Sequence, residues 1–259
     1  MFFTHCYQDR FEEARAIIQK ITAFSPAIQP LFCAATDCSG LTPLHAAAWA
    51  QWPEAVELLL GLCPVVANWR TFAHGKPKGW TPLLVACDVG FPRPPPGQDN
   101  VDKQLTMLQL ATLLARQMEP HALCAVTSSA SNFLHVLASR GYEAVLGPLL
   151  AELEREDEHG HRPLPRAEVV ALLNETNKGD HTVLDCAAQS HGSGVDLLEK
   201  EWPEAARHST ASGQRKGGGG KGGGGSFQNM QRRLQNPQRP PASNNAAGDE
   251  RRWNRRGRR

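Results

Sequence analysis

Two histidines stand in similar short sequences and are the first candidates for acid–base chemistry. His45 ends the tetrad TPLH, and His135 ends the tetrad NFLH. Histidine is the side chain that most often transfers protons in enzymes. Two further copies of the tetrad carry Leu84 and Asp185 at the same place. Since one equivalent unit carries Leu, which cannot transfer a proton, the pattern favours a structural role.

Metal binding is the second chemistry that the residue types suggest. His159 and His161 form a His-x-His pair in the acidic stretch EDEHGHRP, and such a pair beside carboxylates can bind a divalent cation. No Cys or further His follows at ligand spacing, so the favoured interpretation is a charged loop in solvent. Cys33 and Cys38 are five positions apart, which is poor spacing for zinc, and no partner pair accompanies them. We expect no metal and no cofactor.

The remaining chemical motifs also argue against an enzyme. The seven cysteines are scattered and form no Cys-x-x-Cys pair. Their odd number and a start unlike a signal sequence predict reduced, mostly buried thiols in an intracellular protein, either cytoplasmic or nuclear. The stretch KGGGGKGGGGS lacks the Gly-Lys-Ser/Thr ending of a phosphate-binding loop. No apolar run approaches the roughly 18–20 residues of a membrane span.

The tetrads themselves belong to a repeated element. They begin at Thr42, Thr81, Asn132 and Thr182, and each opens a short apolar run that is followed by a turn and a second apolar segment. Those second segments lie at 54–60, 105–114, 143–153 and 195–202. Thr is a good N-cap and Pro suits the first helical position, so each tetrad predicts a helix start. One helix pair cannot bury both its faces alone, and the units must therefore stack.

The unit around the first tetrad has the clearest pattern. Leu44 begins a buried stripe, and Ala47 and Ala48 are small enough for two helices to approach closely. Leu58 and Leu59 are expected to fill the space between neighbouring units. Trp49 and Trp52 are the residues of this unit that such a scaffold does not require.

This pattern resembles the ankyrin repeat, most strongly over residues 37–68. The family positions filled there are Gly40, Thr42, Pro43, Leu44, His45, Ala47, Ala48, Glu54, Val56, Leu58 and Leu59. The resemblance extends less regularly over roughly 1–204, and residues 1–21 look like a cap with a shortened first helix. It implies an all-α solenoid of helix–turn–helix units with short hairpin loops. It also implies that His45 and His135 hydrogen-bond their own turn and steady the next loop.

The predicted domain organisation has three parts. A degenerate ankyrin-repeat domain covers 1–206, with a cap at 1–30 and units near 37–69, 75–118, 126–158 and 178–206. A flexible Gly-rich linker covers 207–226, and a disordered Arg-rich tail covers 227–259. The tetrads are 39, 51 and 50 residues apart, whereas ankyrin units recur about every 33. Extra chain must form loops at 71–78, 91–102 and 155–165, either as tolerated surface loops or as part of a binding face.

The ankyrin resemblance implies a concave surface for a protein partner. Its variable positions precede each tetrad and end each first helix. We predict partner contacts at Leu41, Trp49, Ala50, Trp80, Asp88, Val89, Ser139, Arg140, His181 and Gln189. Trp and Arg dominate interface hot spots, which singles out Trp49, Trp80 and Arg140. The alternative for the two Trp residues is that they cover the neighbouring insertions.

Charge separates the tail from the rest of the chain. From position 207 onward there are 13 Lys and Arg against 2 Asp and Glu, whereas the preceding part carries 15 against 24. The end of the tail, RRWNRRGRR, suits binding of RNA or DNA, with Trp253 as a stacking platform. The residues predicted for nucleic-acid contact are Arg251, Arg252, Trp253, Arg255, Arg256, Arg258 and Arg259. Nuclear targeting, attraction to the acidic part of the chain and a purely solubilising role are the alternatives.

The sequence thus predicts a non-enzymatic scaffold or adaptor that binds a protein partner through the concave ankyrin face. A nucleic-acid-associated adaptor that uses the Arg-rich tail is the alternative. We expect a monomer with no membrane association.

Overall fold

A computed structural model describes residues 1–71, 79–89, 101–156, 163–190 and 194–205. The chain divides into two units, Met1–Lys216 and Gly217–Arg259, and every described residue belongs to the first. Within the described ranges the regular structure is helical and contains no strand, which confirms the predicted all-α class. The α-helices are α1 Phe2–Tyr7, α2 Phe11–Thr22, α3 Gln29–Ala34, α4 Pro43–Trp49, α5 Pro53–Leu62, α6 Pro82–Val89, α7 Val101–Gln117, α8 Pro120–Leu123, α9 Phe133–Arg140, α10 Glu143–Glu154, α11 Arg166–Asn174, α12 Val183–Gln189 and α13 Gly194–Glu201, with a 3-10 helix at Pro64–Asn68.

The helices form two layers that run the length of the stack. In one layer α1, α4, α6, α9 and α12 pack each on the next, and in the other α2, α5, α7, α10 and α13 do the same. The tetrads open α4, α6, α9 and α12, and the predicted second segments lie in α5, α7, α10 and α13. The helix pairs expected from the sequence are therefore confirmed. The pair α1 and α2 precedes the first unit, in the range predicted as a cap, and α1 is six residues long.

Backbone conformation repeats at the same distance before every tetrad. Gly40, Gly79, Ala130 and Asp180 each lie two residues before the helix-capping residue, and each has a positive φ between 57° and 78°. This left-handed residue turns the chain into the next first helix. Glycine adopts this conformation without steric cost, whereas the Cβ atoms of Ala130 and Asp180 make it unfavourable. The repeat is thus preserved in geometry at positions where its glycine has been lost.

Alanines allow the layers of the first unit to approach as predicted. Ala46, Ala47 and Ala48 are all fully buried, and Leu59 lies in the core beside them. Leu58 is 41% exposed, so the prediction that it fills the space between units is wrong. Successive side chains of a helix point about 100° apart. Because Leu59 of α5 points into the core, Leu58 points toward solvent.

Trp52 also differs from its prediction. It is only 5% exposed, and its ring centroid lies 5.0 Å from that of Phe11 at the start of α2. It therefore fixes the cap to the first unit and is part of the scaffold. The sequence offered no sign of this contact because Phe11 precedes it by 41 positions.

Three short elements, α3, α8 and α11, and the 3-10 helix were not predicted. Each follows a second helix of the stack and leads toward the next hairpin. The predicted loops at 71–78, 91–102 and 155–165 lie mostly outside the described residues. Their described ends show Thr71 joining the turn before α6, residues 101 and 102 opening α7, and Leu164 buried beside α10.

Candidate interaction surface

The two tetrad histidines join consecutive units of the stack. The Nε2 atom of His45 lies 3.0 Å from the carbonyl oxygen of Trp80, in the turn before α6. The Nε2 atom of His135 lies 3.1 Å from the carbonyl oxygen of His181, in the turn before α12. Both rings are buried. The structural role predicted for these residues is confirmed, since each holds its own turn and the next one.

His45 is a neutral imidazole. Its Nδ1 atom accepts the backbone N–H of Thr42 at 3.3 Å and lies 2.7 Å from the Thr42 hydroxyl, so the proton resides on Nε2 and is donated to Trp80. Burial lowers the pKa of His45 to about 4, and the hydrogen bond with the backbone of Trp80 and the charge of Asp37 oppose this only in part. A fully buried imidazolium would have lost its hydration, so the neutral form is favoured.

Residues just before the tetrads are placed differently from the prediction. Leu41 is 1% exposed and Trp80 is 5% exposed. Trp80 donates its backbone N–H to Thr71 and presents its carbonyl oxygen to His45, so the residue is held inside the junction of two units. The predicted partner contacts at Leu41 and Trp80 are therefore wrong, because both side chains are buried. At the same register, His181 is half-buried.

Ends of the first helices form a continuous line across the stack. Trp49, Asp88, Ser139 and Gln189 all lie seven positions after the capping residue of their unit, and their helices pack in sequence. Trp49 is half-buried, and its ring packs edge-on against Tyr7 with centroids 5.0 Å apart. Ser139 and Gln189 are exposed. We call this line of residues the end-of-helix surface.

An ion pair crosses the end-of-helix surface between the second and third units. A guanidinium nitrogen of Arg140 lies 3.2 Å from Oδ1 of Asp88, and the same nitrogen also donates to the Asp88 carbonyl oxygen. Burial raises the pKa of Asp88, and the neighbouring Arg140 opposes that rise. The pair therefore fixes the last turn of α6 against the last turn of α9.

Two side chains of this surface have polar atoms without hydrogen-bond partners. They are Nε1 of Trp49 and Oδ2 of Asp88, and both atoms are shielded from solvent. A third such atom, Oε1 of Gln51, lies in the turn after α4. Buried polar atoms are nearly always paired, so an unpaired group suggests a water or a partner group.

Residues 39–69 match the family model of the ankyrin repeat. The chain therefore contains an ankyrin repeat. The matched segment holds the first tetrad, α4 and α5, which is the unit whose sequence pattern is clearest. No curated protein matches the chain. Ankyrin repeats serve in general as protein–protein interaction modules, and proteins built from them are typically not enzymes.

Sequence reasoning missed two residues of the ankyrin surface. Gln51 has a positive φ of 54°, and its Nε2 donates to the carbonyl oxygens of Ala48 and Ala86, which ties α4 to α6. Tyr7 donates its hydroxyl to Asp37 at 2.7 Å and supports Trp49. A signal existed for Gln51, because Gly141 occupies the same register and also has a positive φ. Tyr7 had none, since its contacts are 30 or more positions away.

The remaining predicted residues of the ankyrin chain divide into described and undescribed ones. Ala50 is half-buried beside Trp49, and Val89 ends α6. His159, His161, the Gly-rich linker and the predicted nucleic-acid contacts lie outside the described residues; the last are Arg251, Arg252, Trp253, Arg255, Arg256, Arg258 and Arg259.

Metal-ligating side chains do not gather in the part of the chain that the structure describes. It contains no cluster of three or more His, Cys, Asp or Glu side chains that could hold a metal ion. Burial raises the pKa of the Cys6 thiol to about 12 and that of the Cys186 thiol to about 11, so both are held protonated. None of the helices described is both long and apolar enough to cross a membrane.

Proposed function

We propose that this ankyrin-repeat protein is a non-enzymatic adaptor that binds a protein partner through its end-of-helix surface, acting as a monomer. The observation that carries the proposal is the alignment of Trp49, Asp88 and Gln189 at one register on consecutive packed helices. A solenoid presents equivalent positions of neighbouring units side by side, so such a line forms one extended surface.

The chemistry of the surface supports a protein ligand. Trp49 combines a large half-buried ring with an Nε1 donor that has no partner. Arg140 stands two units away and is about a quarter exposed. Trp and Arg are enriched among residues that dominate protein–protein binding energies. Ser139, His181 and Gln189 would extend the contact toward the last unit.

A matched pair of tryptophan variants tests this proposal. The full-length chain with Trp49→Ala is compared with Trp52→Ala in affinity capture from a cell extract, with helicity followed by circular dichroism. We expect Trp49→Ala to reduce captured partner about tenfold or more while keeping the helical signal, since a hot-spot side chain contributes about 2 kcal/mol. Trp52→Ala should lower the thermal midpoint instead, because Trp52 is buried against Phe11.

Two results would contradict the proposal. One is a Trp49→Ala chain that loses its helical signal, which would make Trp49 a scaffold residue. The other is undiminished capture by a folded Trp49→Ala chain, which would place the contact elsewhere.

The Arg-rich tail supports a second candidate function, the binding of RNA or DNA. Six Arg surround Trp253 in RRWNRRGRR, a composition that suits phosphate contacts and base stacking. Binding of a single-stranded oligonucleotide should be lost in a chain ending at position 226. It should also fall steeply between about 50 and 200 mM salt. Equal binding with and without the tail would reject this function.

A further inference from the structure

Two aromatic rings meet at right angles at the N-terminal end of the end-of-helix surface. The ring planes of Tyr7 and Trp49 are 89° apart, and the ring centroids lie 5.0 Å from each other. Tyr7 continues the line into α1, because a residue with positive φ follows two positions after each ring, Asp9 in α1's unit and Gln51 in the next. Both side chains are half-buried. Two perpendicular planes enclose a corner, which we call the aromatic corner.

The carboxylate of Asp37 is hydrogen-bonded to one ring of this corner. Its Oδ2 accepts the Tyr7 hydroxyl at 2.7 Å, and its Oδ1 accepts the backbone N–H groups of Ser39 and Leu41 at 2.8 and 3.0 Å. Among the described residues, none of these partners of the carboxylate carries a positive charge. The aromatic corner therefore adjoins a negative charge that no described ion pair neutralises.

The turn that contains Asp37 does not require this charge. Thr127 and Asn177 lie at the same register, five positions before the capping residues of their units. In each of them, one neutral oxygen accepts the backbone N–H groups two and four positions further on, as Oδ1 of Asp37 does. A neutral acceptor is thus sufficient for the turn, and the charge of Asp37 is available for another role.

Two aromatic faces beside an unpaired carboxylate favour a cation. The face of an aromatic ring carries partial negative charge and attracts a cation within about 6 Å of its centre, most strongly at Trp. Arginine suits such a site because its planar guanidinium stacks on a ring while its N–H groups face a carboxylate. On the other side of Trp49 along the surface, the carboxylate of Asp88 is already paired with Arg140. The side toward Tyr7 and Asp37 is therefore the one that can receive a further positive charge.

We propose that the aromatic corner receives an arginine side chain of the protein partner, which stacks on Trp49 and is held by the negative charge of Asp37. The arginine contact rests on the proposed function, since it lies on the same surface, and it specifies the chemistry of the partner: a basic segment. Net charge agrees with such a partner. The chain before position 207 carries 15 Lys and Arg against 24 Asp and Glu, which attracts basic segments.

Small arginine compounds probe the aromatic corner directly. The full-length chain, labelled with 15N, is titrated with N-acetylarginine amide and with N-acetylcitrulline amide, which has nearly the same shape but no charge. The Nε1–H signal of Trp49 is identified by its loss in Trp49→Phe. We expect the arginine compound to shift this signal at concentrations about fivefold or more below those that the citrulline compound requires. Equal effects of the two compounds, or no shift with arginine, would overturn the proposal.

A matched pair of charge variants tests the part played by Asp37. Asp37→Asn removes the charge and keeps an oxygen for the turn, as Asn177 does in the last unit. Asp180→Asn is the control, because it removes the same charge from an exposed hairpin and Asn tolerates the positive φ of 58° found there. Asp37→Asn should weaken binding of the arginine compound about fivefold, whereas Asp180→Asn should leave it unchanged. Equal weakening in the two variants would mean general charge attraction and would count against the proposal.

Affinity capture with the same variants separates the arginine contact from the proposed function. Where Trp49→Ala loses the partner, a folded Asp37→Asn chain should also capture about fivefold less of it. Full capture by Asp37→Asn would then reject the arginine contact and leave the proposed function standing. Undiminished capture by a folded Trp49→Ala chain would reject the proposed function itself, and the arginine contact with it. Circular dichroism of each variant verifies that the helices are intact.

Discussion

His45 holds the carbonyl oxygen of Trp80, 35 positions further along the chain, at 3.0 Å from its Nε2 atom. The same carbonyl accepts the N–H of Thr71, so one oxygen ties the first helix of one unit to the turn of the next. A stack of this kind depends on contacts between neighbouring units, because a single unit cannot bury both faces. This junction is therefore a place where single substitutions affect the whole stack.

The overall stability of the chain should depend on pH through His45. Its folded pKa of about 4 lies below the unfolded value near 6.5, so unfolding takes up a proton at intermediate pH. The stabilisation that this gives is fully present above pH 6.5 and is lost as the pH falls toward 4. We expect a loss of about 3 kcal/mol between pH 7 and pH 4 from this group.

Urea unfolding at several pH values measures that loss, with His45→Ala as the reference. The variant should be less stable at pH 7 by about 2 kcal/mol, since it loses a buried hydrogen bond and leaves a cavity. Its stability should also fall less steeply with acid. Parallel pH dependences for the two proteins would exclude His45 as the source.

Replacing Ala130 with glycine should make the folded chain more stable. Its φ of 57° is unfavourable for any residue with a Cβ, and the equivalent residues of the first two units are glycines. Ala130→Gly should raise the free energy of unfolding by about 0.5 to 1 kcal/mol, after the greater entropy of unfolded glycine is subtracted. Gly79→Ala is the matched control and should lower stability by a similar amount, since its Cβ would meet no neighbour. Urea midpoints would decide, and a destabilised Ala130→Gly chain would contradict the strain argument.

Gly147 lies at the close contact between the last two second helices, α10 and α13. A Cβ at this position would lie 2.8 Å from Cδ2 of Leu197, on α13. Gly147→Ala should cost about 1 to 2 kcal/mol because Leu197 has to move. Gly61→Ala is the control in α5, where a Cβ meets nothing, and it should stabilise by about 0.5 to 1 kcal/mol. The two thermal midpoints should move in opposite directions, and a shift of the same sign would refute the packing argument.

Trp202 closes the last described unit. It is buried, and its Nε1 donates to Glu154 at 3.3 Å, which also receives Arg166. Trp202→Ala should lower the free energy of unfolding by about 3 kcal/mol. Trp202→Phe keeps most of the ring and should cost about 1 kcal/mol through the lost hydrogen bond. Equal losses in the two variants would mean that packing of the ring contributes little.

Much of the fold could be predicted from the sequence because helix starts depend on residues that are close together in the chain. A tetrad with a capping Thr or Asn and a following apolar run predicted α4, α9 and α12. At each of these helix starts the capping side chain accepts a backbone N–H three positions further on; the caps are Thr42, Asn132 and Thr182. The short helices α3, α8 and α11 were missed because they have no repeated pattern. The exposure of Leu58 was missed because family position alone does not tell which side of α5 faces its neighbours.

The candidate surface was predicted less completely for a different reason. Trp49 and Trp80 are equally good candidates for partner contact in the sequence. In the structure, Trp49 is half-buried at a helix end, whereas Trp80 is buried between two units. Burial depends on which residues surround a side chain, and those residues come from distant parts of the chain. The role of Gln51 as a tie between α4 and α6 was hidden for the same reason.

The sequence by itself determined the repeating helix pair, the helix starts and the small residues that let the pairs approach, because capping and periodicity act over a few neighbouring positions. Only the tertiary structure decided which side chains remain at the surface and which partners the two histidines find. Thr42 and Asn132 occupy the same register and both cap a helix, but the Asn132 amide is oriented by Leu172 and Glu175 from another element. That orientation determines which atom of Asn132 faces the neighbouring imidazole.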